Sequence, residues 1–219
     1  ALAEAVTVTL DALCQGGIYD HLGGGFARYS TDAHWLVPHF EKMLYDNAQL
    51  LDLLTETWQT TGSPLYAARA RETAAWLLSD MRVTPPEADG TFALASAYDA
   101  DSEGVEGKYY VWGEDEIDAV LGGEAAALFK AAYGVSPAGN WEGVTILNRS
   151  HAGTAVADDP RLAAARARLL EARRRRVPPA WDDKVLADWN GLAIAALADA
   201  GGRLGEAAWI DAAGAAFAF

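Results

Sequence analysis

Cysteine occurs once in the 219 residues, at Cys14, so no disulfide forms within the chain, and neither a CxxC redox pair nor a cysteine-based zinc site is present. That usage points to a reducing, cytoplasmic compartment. Positive charge is also scarce: 17 Lys and Arg face 31 Asp and Glu, leaving a net charge of -14. Such a surface repels phosphate backbones and anionic lipid, which argues against nucleic-acid and membrane partners. No apolar run approaches membrane-spanning length, and the first residues lack the basic start and apolar core of a signal peptide. A Gly-x-Ser-x-Gly elbow, a P-loop and a Gly-x-Gly-x-x-Gly fingerprint are absent too. Gly23-Gly24-Gly25 precedes Phe26 rather than a helix and reads as a tight turn.

What remains is an ordinary globular balance, 51% hydrophobic and 22% charged, which excludes a disordered, collagen-like or disulfide-stapled chain. The length fits one large domain or two small ones. The opening Ala-Leu-Ala-Glu-Ala-Val and the closing Ala-Phe-Ala-Phe both fall inside helical patterns, so the chain reads as a segment of a longer protein.

Residues 1–14 have a helical pattern, ended by Gly16-Gly17. An irregular, aromatic-rich passage follows over 18–37. Pro38 suits the first turn of a helix, and Phe40, Leu44, Leu51, Leu54 and Trp58 continue at helical spacing for about five turns, with Lys42, Gln49, Asp52 and Glu56 opposite. After a turn at Thr61-Gly62-Ser63-Pro64, a second helix is expected over 65–81. The stretch 83–113 suits short strands, with a β-hairpin bracketing the acidic loop 99–106. Short helices at 114–121 and 124–132 precede a loop to about residue 159. A basic helix over 160–176 ends in Arg173-Arg174-Arg175-Arg176, a charge run that favours the helix C-terminus and solvent. Asp182 is positioned to cap a last long helix through Gly201.

The chain repeats itself. Asn47 falls on Asn190, Leu54 on Leu197, Gly62 on Gly205 and Tyr66 on Trp209, all at an offset of 143 residues. Each copy is a helical hairpin with an Asn inside its apolar stripe, a buried amide that either ties hairpins together or contacts a ligand. Repeated hairpins of this kind build an open solenoid or a closed ring.

Three of the four histidines, His21, His34 and His39, lie within residues 21–39, together with Arg28, Tyr29, Asp32 and Trp35. A titratable, aromatic loop of that kind is what a small-molecule site needs. His39, in the first turn of the expected helix, is the strongest general acid/base candidate, against the alternative of a core histidine bonded to a carbonyl. A second cluster holds Asp99, Asp101, Glu103 and Glu106. It opens like a calcium loop, but position 12 is Tyr110, so no metal site is expected. Those carboxylates read as acid/base or hydroxyl-binding groups, or as a solvated hairpin tip. Trp35, Trp112, Trp141, Trp181 and Trp189 sit beside acidic or amide residues and suit stacking on sugar faces, whereas Trp58, Trp76 and Trp209 suit core packing.

The run Gly16-Gly17-Ile18-Tyr19-Asp20, Gly23-Gly24-Gly25-Phe26, Arg28-Tyr29-Ser30, Asp32, Trp35 and Pro38-His39-Phe40-Glu41-Lys42-Met43-Leu44-Tyr45-Asp46-Asn47-Ala48 closely resembles the spermatogenesis-associated protein 20 family. So do Asp99-Ala100-Asp101-Ser102-Glu103-Gly104, Gly139-Asn140-Trp141-Glu142-Gly143 and Asp182-Asp183-Lys184 with Trp189-Asn190-Gly191-Leu192. The resemblance implies an upstream thioredoxin-like domain followed by an (α/α)6 toroid related to six-hairpin glycosidases and N-acylglucosamine 2-epimerases. This chain would be an all-α, partial toroid with a small β-hairpin insertion, lacking the thioredoxin-like domain and the final hairpins. Twelve helices with their connections need on the order of 250 residues or more.

By that resemblance, His39, Asp99, Asp101 and Glu103 are the expected catalytic residues. Arg28, Tyr29, Trp35, Asp46, Trp112, Trp141, Glu142 and Asn190 are expected to contact substrate, a small sugar or polyol, with no cofactor. The leading expectation is a carbohydrate epimerase or isomerase with a histidine acid/base. A glycoside hydrolase with paired carboxylates, or a non-catalytic scaffold serving the thioredoxin-like domain, are the alternatives.

Overall fold

A computed structural model describes residues 2–84, 89–156 and 159–219. The chain is mainly helical and divides into two compact units. One holds the described residues of Ala1–Gly23, Ala27–Phe40 and Ala100–Ala180; the other holds those of Gly24–Phe26, Glu41–Asp99 and Trp181–Phe219.

The second unit is built on the repeat. Helices α2 (Leu44–Thr61) and α3 (Pro64–Ser79) form one hairpin, and α7 (Ala187–Leu204) and α8 (Ala207–Phe217) form the other. Their starts keep the 143-residue offset read from the sequence. Both first helices stop at a glycine in the left-handed region, Gly62 (φ 70°) and Gly205 (φ 75°), where a residue without Cβ adopts that conformation at little cost. Leu44, Leu51 and Leu54 of α2 are buried, as are Ala193, Leu197 and Ala200 of α7, and the two helices pack against each other. The repeated asparagines have equivalent surroundings. Asn47 Oδ1 accepts from Phe26 N–H at 2.7 Å, while Nδ2 donates to the carbonyls of Phe26 and Met43, each at 3.0 Å. Asn190 likewise accepts from Leu94 N–H at 2.8 Å and donates to the carbonyls of Leu94 (2.9 Å) and Leu186 (3.0 Å). Each amide therefore ties an extended segment to its helix, which is the structural reading of these residues.

Strands in this unit are two residues long. β3 (Lys42–Met43), β6 (Ala97–Tyr98) and β9 (Trp181–Asp182) make one antiparallel sheet, ordered β3-β6-β9, and β4 (Arg82–Val83) pairs with β5 (Ala93–Leu94). Two expectations are corrected here. The helix expected from Pro38 starts only at Leu44, because residues 38–39 and 42–43 are pinned in ladders before the helical stripe begins. Asp182 lies in β9 and does not cap α7, whose N-cap position is Leu186.

In the first unit, α1 (Leu2–Gln15) ends at the glycine pair as expected. Helices α4 (Glu114–Leu121), α5 (Gly123–Tyr133) and α6 (Pro160–Arg173) close around Trp112, Ile117, Phe129, Tyr133, Leu162 and Leu169. Strands β1 (Tyr29–Ser30) and β2 (Pro38–His39) form a ladder with Tyr29 opposite His39. The expected hairpin around the acidic loop is not formed; instead β7 (Asp101–Ser102) and β8 (Val105–Glu106) make a hairpin inside that loop. Its two turn residues, Glu103 and Gly104, both have positive φ (54° and 74°), the geometry of a two-residue hairpin connection. Among the described residues, no helix is long and apolar enough to cross a membrane.

Candidate acid–base site

His39 is held from two directions in the first unit. Its ring stacks on Tyr29, with centroids 5.0 Å apart and planes at 27°. Its Nδ1 lies 2.8 Å from Glu106 Oε1, which also accepts Phe40 N–H at 3.4 Å. The His39 side chain is 26% exposed and that of Glu106 44%. At that exposure the pair contributes little to stability, and its effect is to orient the imidazole. His39 sits in a strand and not in the first turn of a helix.

Behind the pair, Phe40, Ala100 and Ile146 form a small core joined by Tyr110, Val111 and Trp141. The Phe40 ring stacks on Tyr110 at 5.7 Å and tilts against Trp141 at the same distance. Gly107, next to Glu106, has φ 74°, and a Cβ there would come within 2.5 Å of the Phe40 ring. The backbone after Glu106 therefore presses onto Phe40, an approach that glycine alone permits.

Arg28, Tyr29 and Trp35 line a cavity of about 380 Å³, together with Leu13, Ile18, Ser30, Asp32 and Ala33. That volume is within the usual range of small-molecule sites. Trp35 has a positive φ of 60°, uncommon for an aromatic residue. Its conformation is enforced from both sides. Gly17 N–H donates to the Trp35 carbonyl at 2.8 Å, and Asp32 accepts from the N–H groups of His34 (2.6 Å), Leu36 (3.2 Å) and Val37 (2.7 Å). A Cβ on Gly16 or Gly17 would fall 2.3 Å from the Trp35 carbonyl oxygen or 2.0 Å from that of Leu36. The glycine pair is thus a seat for the 31–37 loop as well as a helix stop.

Partial burial works against the Asp32 charge, but the three N–H groups outweigh it and hold its carboxyl below the usual carboxylate value. A depressed folded-state value stabilises the protein above the unfolded value, near pH 4, and that contribution fades as pH falls through the folded one. The difference in melting temperature between wild type and Asp32→Asn is therefore expected to be largest at neutral pH and to shrink progressively below about pH 4. A difference independent of pH in thermal melts would show that the Asp32 charge does not hold the loop.

The other expected residues are dispersed. Asp101 lies directly opposite Glu106 in the β7–β8 ladder and is exposed. Glu103, at the hairpin turn, pairs with Lys108 at 2.8 Å. Glu142 occupies a second exposed turn with φ 48°, beside Trp141. Trp112, expected to line the cleft, is fully buried instead, at the centre of the α4–α6 core. Asp46, Asp99 and Asn190 belong to the second unit. Asp46 is in the first turn of α2 and Asp99 is exposed after β6. Both amide hydrogens of Asn190 are committed to Leu94 and Leu186, so it has none to offer a substrate. Glu106 was one of four undifferentiated carboxylates in the sequence; pairing across 67 residues left no local signal to single it out. Among the described residues, no group of three or more His, Cys, Asp or Glu could hold a metal ion.

No protein-family model matches the chain. Spermatogenesis-associated protein 20 of Mus musculus is 36% identical over 90% of this chain and 28% of its own length. The Homo sapiens protein of that name is 35% identical over 90% of this chain and 29% of its own length. An uncharacterized protein of Caenorhabditis elegans is 29% identical over 93% of this chain and 32% of its own length. The chain spans less than a third of the length of these curated relatives. Similar to them along nine-tenths of its residues, it belongs to the spermatogenesis-associated protein 20 family.

Proposed function

We propose that His39 and Glu106 are the acid–base pair of a carbohydrate-processing enzyme of the epimerase or isomerase type, carried on part of an (α/α)6 toroid. The observation that carries this reading is the 2.8 Å contact between His39 Nδ1 and Glu106 Oε1 under the Tyr29 ring. With Glu106 accepting the Nδ1 proton, the basic lone pair is on Nε2, the atom that takes a proton from the carbon next to a sugar carbonyl. Trp35 offers an apolar ring face, and Arg28 and Tyr29 offer polar edges, in the cavity they line. The helical hairpins repeated at a 143-residue offset favour the toroid. The upstream thioredoxin-like domain belongs to the same proposal.

The test is exchange of the C2 proton of aldoses and N-acetylhexosamines in heavy water, followed by NMR with the full-length protein. His39→Gln is expected to slow exchange by about 100-fold or more, as for loss of a general base. Unchanged exchange in that variant overturns the reading. Asp101, placed opposite Glu106, supports a second reading as the paired carboxylates of a glycoside hydrolase. Glycoside cleavage lost in Asp101→Asn and kept in His39→Gln would favour it.

A further inference from the structure

Of the four arginines at the end of α6, Arg174 and Arg175 are exposed as a solvated charge run would be, whereas Arg173 and Arg176 turn inward. Arg173 is buried, and its guanidinium lies 5.1 Å from the Tyr109 ring and 5.3 Å from the Tyr110 ring. Arg176 Nη1 donates to the carbonyls of Tyr109 at 2.8 Å and Val111 at 2.9 Å. Its Nη2 pairs with Glu116 at 2.6 Å, and the guanidinium lies 4.0 Å over Trp112. One residue further on, the Val177 carbonyl accepts from Ser102 Oγ at 2.6 Å.

These contacts converge on one short piece of chain. Residues 107–111 form a turn, with the N–H groups of Tyr110 (2.8 Å) and Val111 (3.2 Å) donating to the Gly107 carbonyl. Glu106 stands immediately before that turn, and Ser102 is in the strand paired with it. The Arg173–Val177 segment thus holds the β7–β8 hairpin at Ser102, beside its turn, and the 107–111 turn beyond Glu106. A planar guanidinium suits this role, because its fixed fork reaches two carbonyls at once and its face stacks on rings.

We propose that Arg176, with Arg173 behind it, is a positioning residue for the acid–base pair, fixing the 107–111 turn so that Glu106 meets His39. This inference rests on the acid–base reading of His39 and Glu106. Arg176 touches neither a substrate nor His39; it acts through the backbone that carries Glu106. The arrangement explains why the turn needs Gly107, because the segment is drawn down onto Phe40.

The experiment is carbethoxylation of the full-length protein with diethyl pyrocarbonate, with the rate at each histidine read by mass spectrometry. Glu106→Gln calibrates the loss of the pair, expected to change the His39 rate about threefold, the scale of a partly exposed ion pair. Arg176→Gln is expected to reproduce at least half of that change on a logarithmic scale. Ser102→Ala should move the rate in the same direction by less. The other histidines are internal controls. His21 is buried, with Nε2 2.9 Å from the Gly16 carbonyl, and must stay unreactive, while exposed His34 and His151 must keep their rates. A wild-type His39 rate in both Arg176→Gln and Ser102→Ala, alongside a shift in Glu106→Gln, overturns the proposal. So does a His21 that becomes reactive in Arg176→Gln, since Arg176 is then a general structural support. No shift in Glu106→Gln itself overturns the acid–base reading and this inference with it. Shifts as expected but no sugar exchange leave the positioning role standing and sink the sugar chemistry alone.

Discussion

Arg173→Ala is expected to destabilise the protein by about 3–5 kcal/mol, the penalty for stranding one partner of a buried ion pair. The melting temperature should fall by about 10 °C or more in a chain of this size. Arg173 Nη1 and Nη2 contact the two carboxylate oxygens of Asp20 at 2.8 and 2.7 Å, a bidentate pair with side chains 5% and 7% exposed. Burial works against the guanidinium charge, but Asp20 holds it protonated. Asp20 also accepts the N–H groups of Leu22 and Gly23, each at 3.1 Å, so removing it strands more than a charge. Gly23 itself has no space for a side chain, since a Cβ would sit 2.4 Å from Arg173 Nη2. The double variant Asp20→Ala, Arg173→Met should lose less than the sum of its single changes, because neither charge is left alone. Urea melts of the three variants measure this coupling. A loss under about 1 kcal/mol in Arg173→Ala would mean that water reaches and solvates Asp20.

Asn47→Ala should be nearly as damaging, at about 3–4 kcal/mol. The amide is fully buried, and its removal breaks its hydrogen bonds with the N–H and C=O of Phe26. Each such group costs about 1–3 kcal/mol when it is buried and unsatisfied. Asn47→Asp, nearly identical in shape, should also fail: a carboxylate accepts from Phe26 N–H but repels the carbonyls of Phe26 and Met43. Thermal unfolding of both variants tests this. A stable Asn47→Asp protein would show that the two carbonyls do not depend on the amide. Asn190→Ala repeats the experiment on the other hairpin, with Leu94 in place of Phe26.

The parts of the fold that were legible in the sequence are those whose signal is local. Both hairpins and the 143-residue offset follow from helical spacing and turn chemistry alone, although α7 runs on past the expected end at Gly201 to Leu204. What was not legible depends on pairings between distant residues. Phe40 and Leu44 share a helical spacing, so nothing local distinguishes the strand at Pro38–His39 from a first helical turn; its ladder partner, Tyr29, decides it. Arg173 and Arg176 read as part of a solvated run because their partners, Asp20 and the carbonyls of Tyr109 and Val111, lie far away in sequence, while exposed Arg174 and Arg175 fit that reading. The candidate site shows the same division. Arg28, Tyr29, Trp35 and His39 were visible as a cluster in one stretch, while the choice of Glu106 among four acidic neighbours required the hairpin and the turn that aim it. Trp112 lies close to Glu114 in a loop-like stretch of sequence, yet its ring is enclosed by α4, α5 and α6.

The chain passes from one unit to the other after Gly23, Phe26, Phe40, Asp99 and Ala180. Neither unit is therefore a continuous stretch of sequence, and no pair of cuts excises one intact. During synthesis, the ribosome releases α2 and α3 well before α7 and α8, with most of the first unit emerging between them. The first hairpin must therefore wait, its α7-facing side uncovered, until α7 has left the exit tunnel.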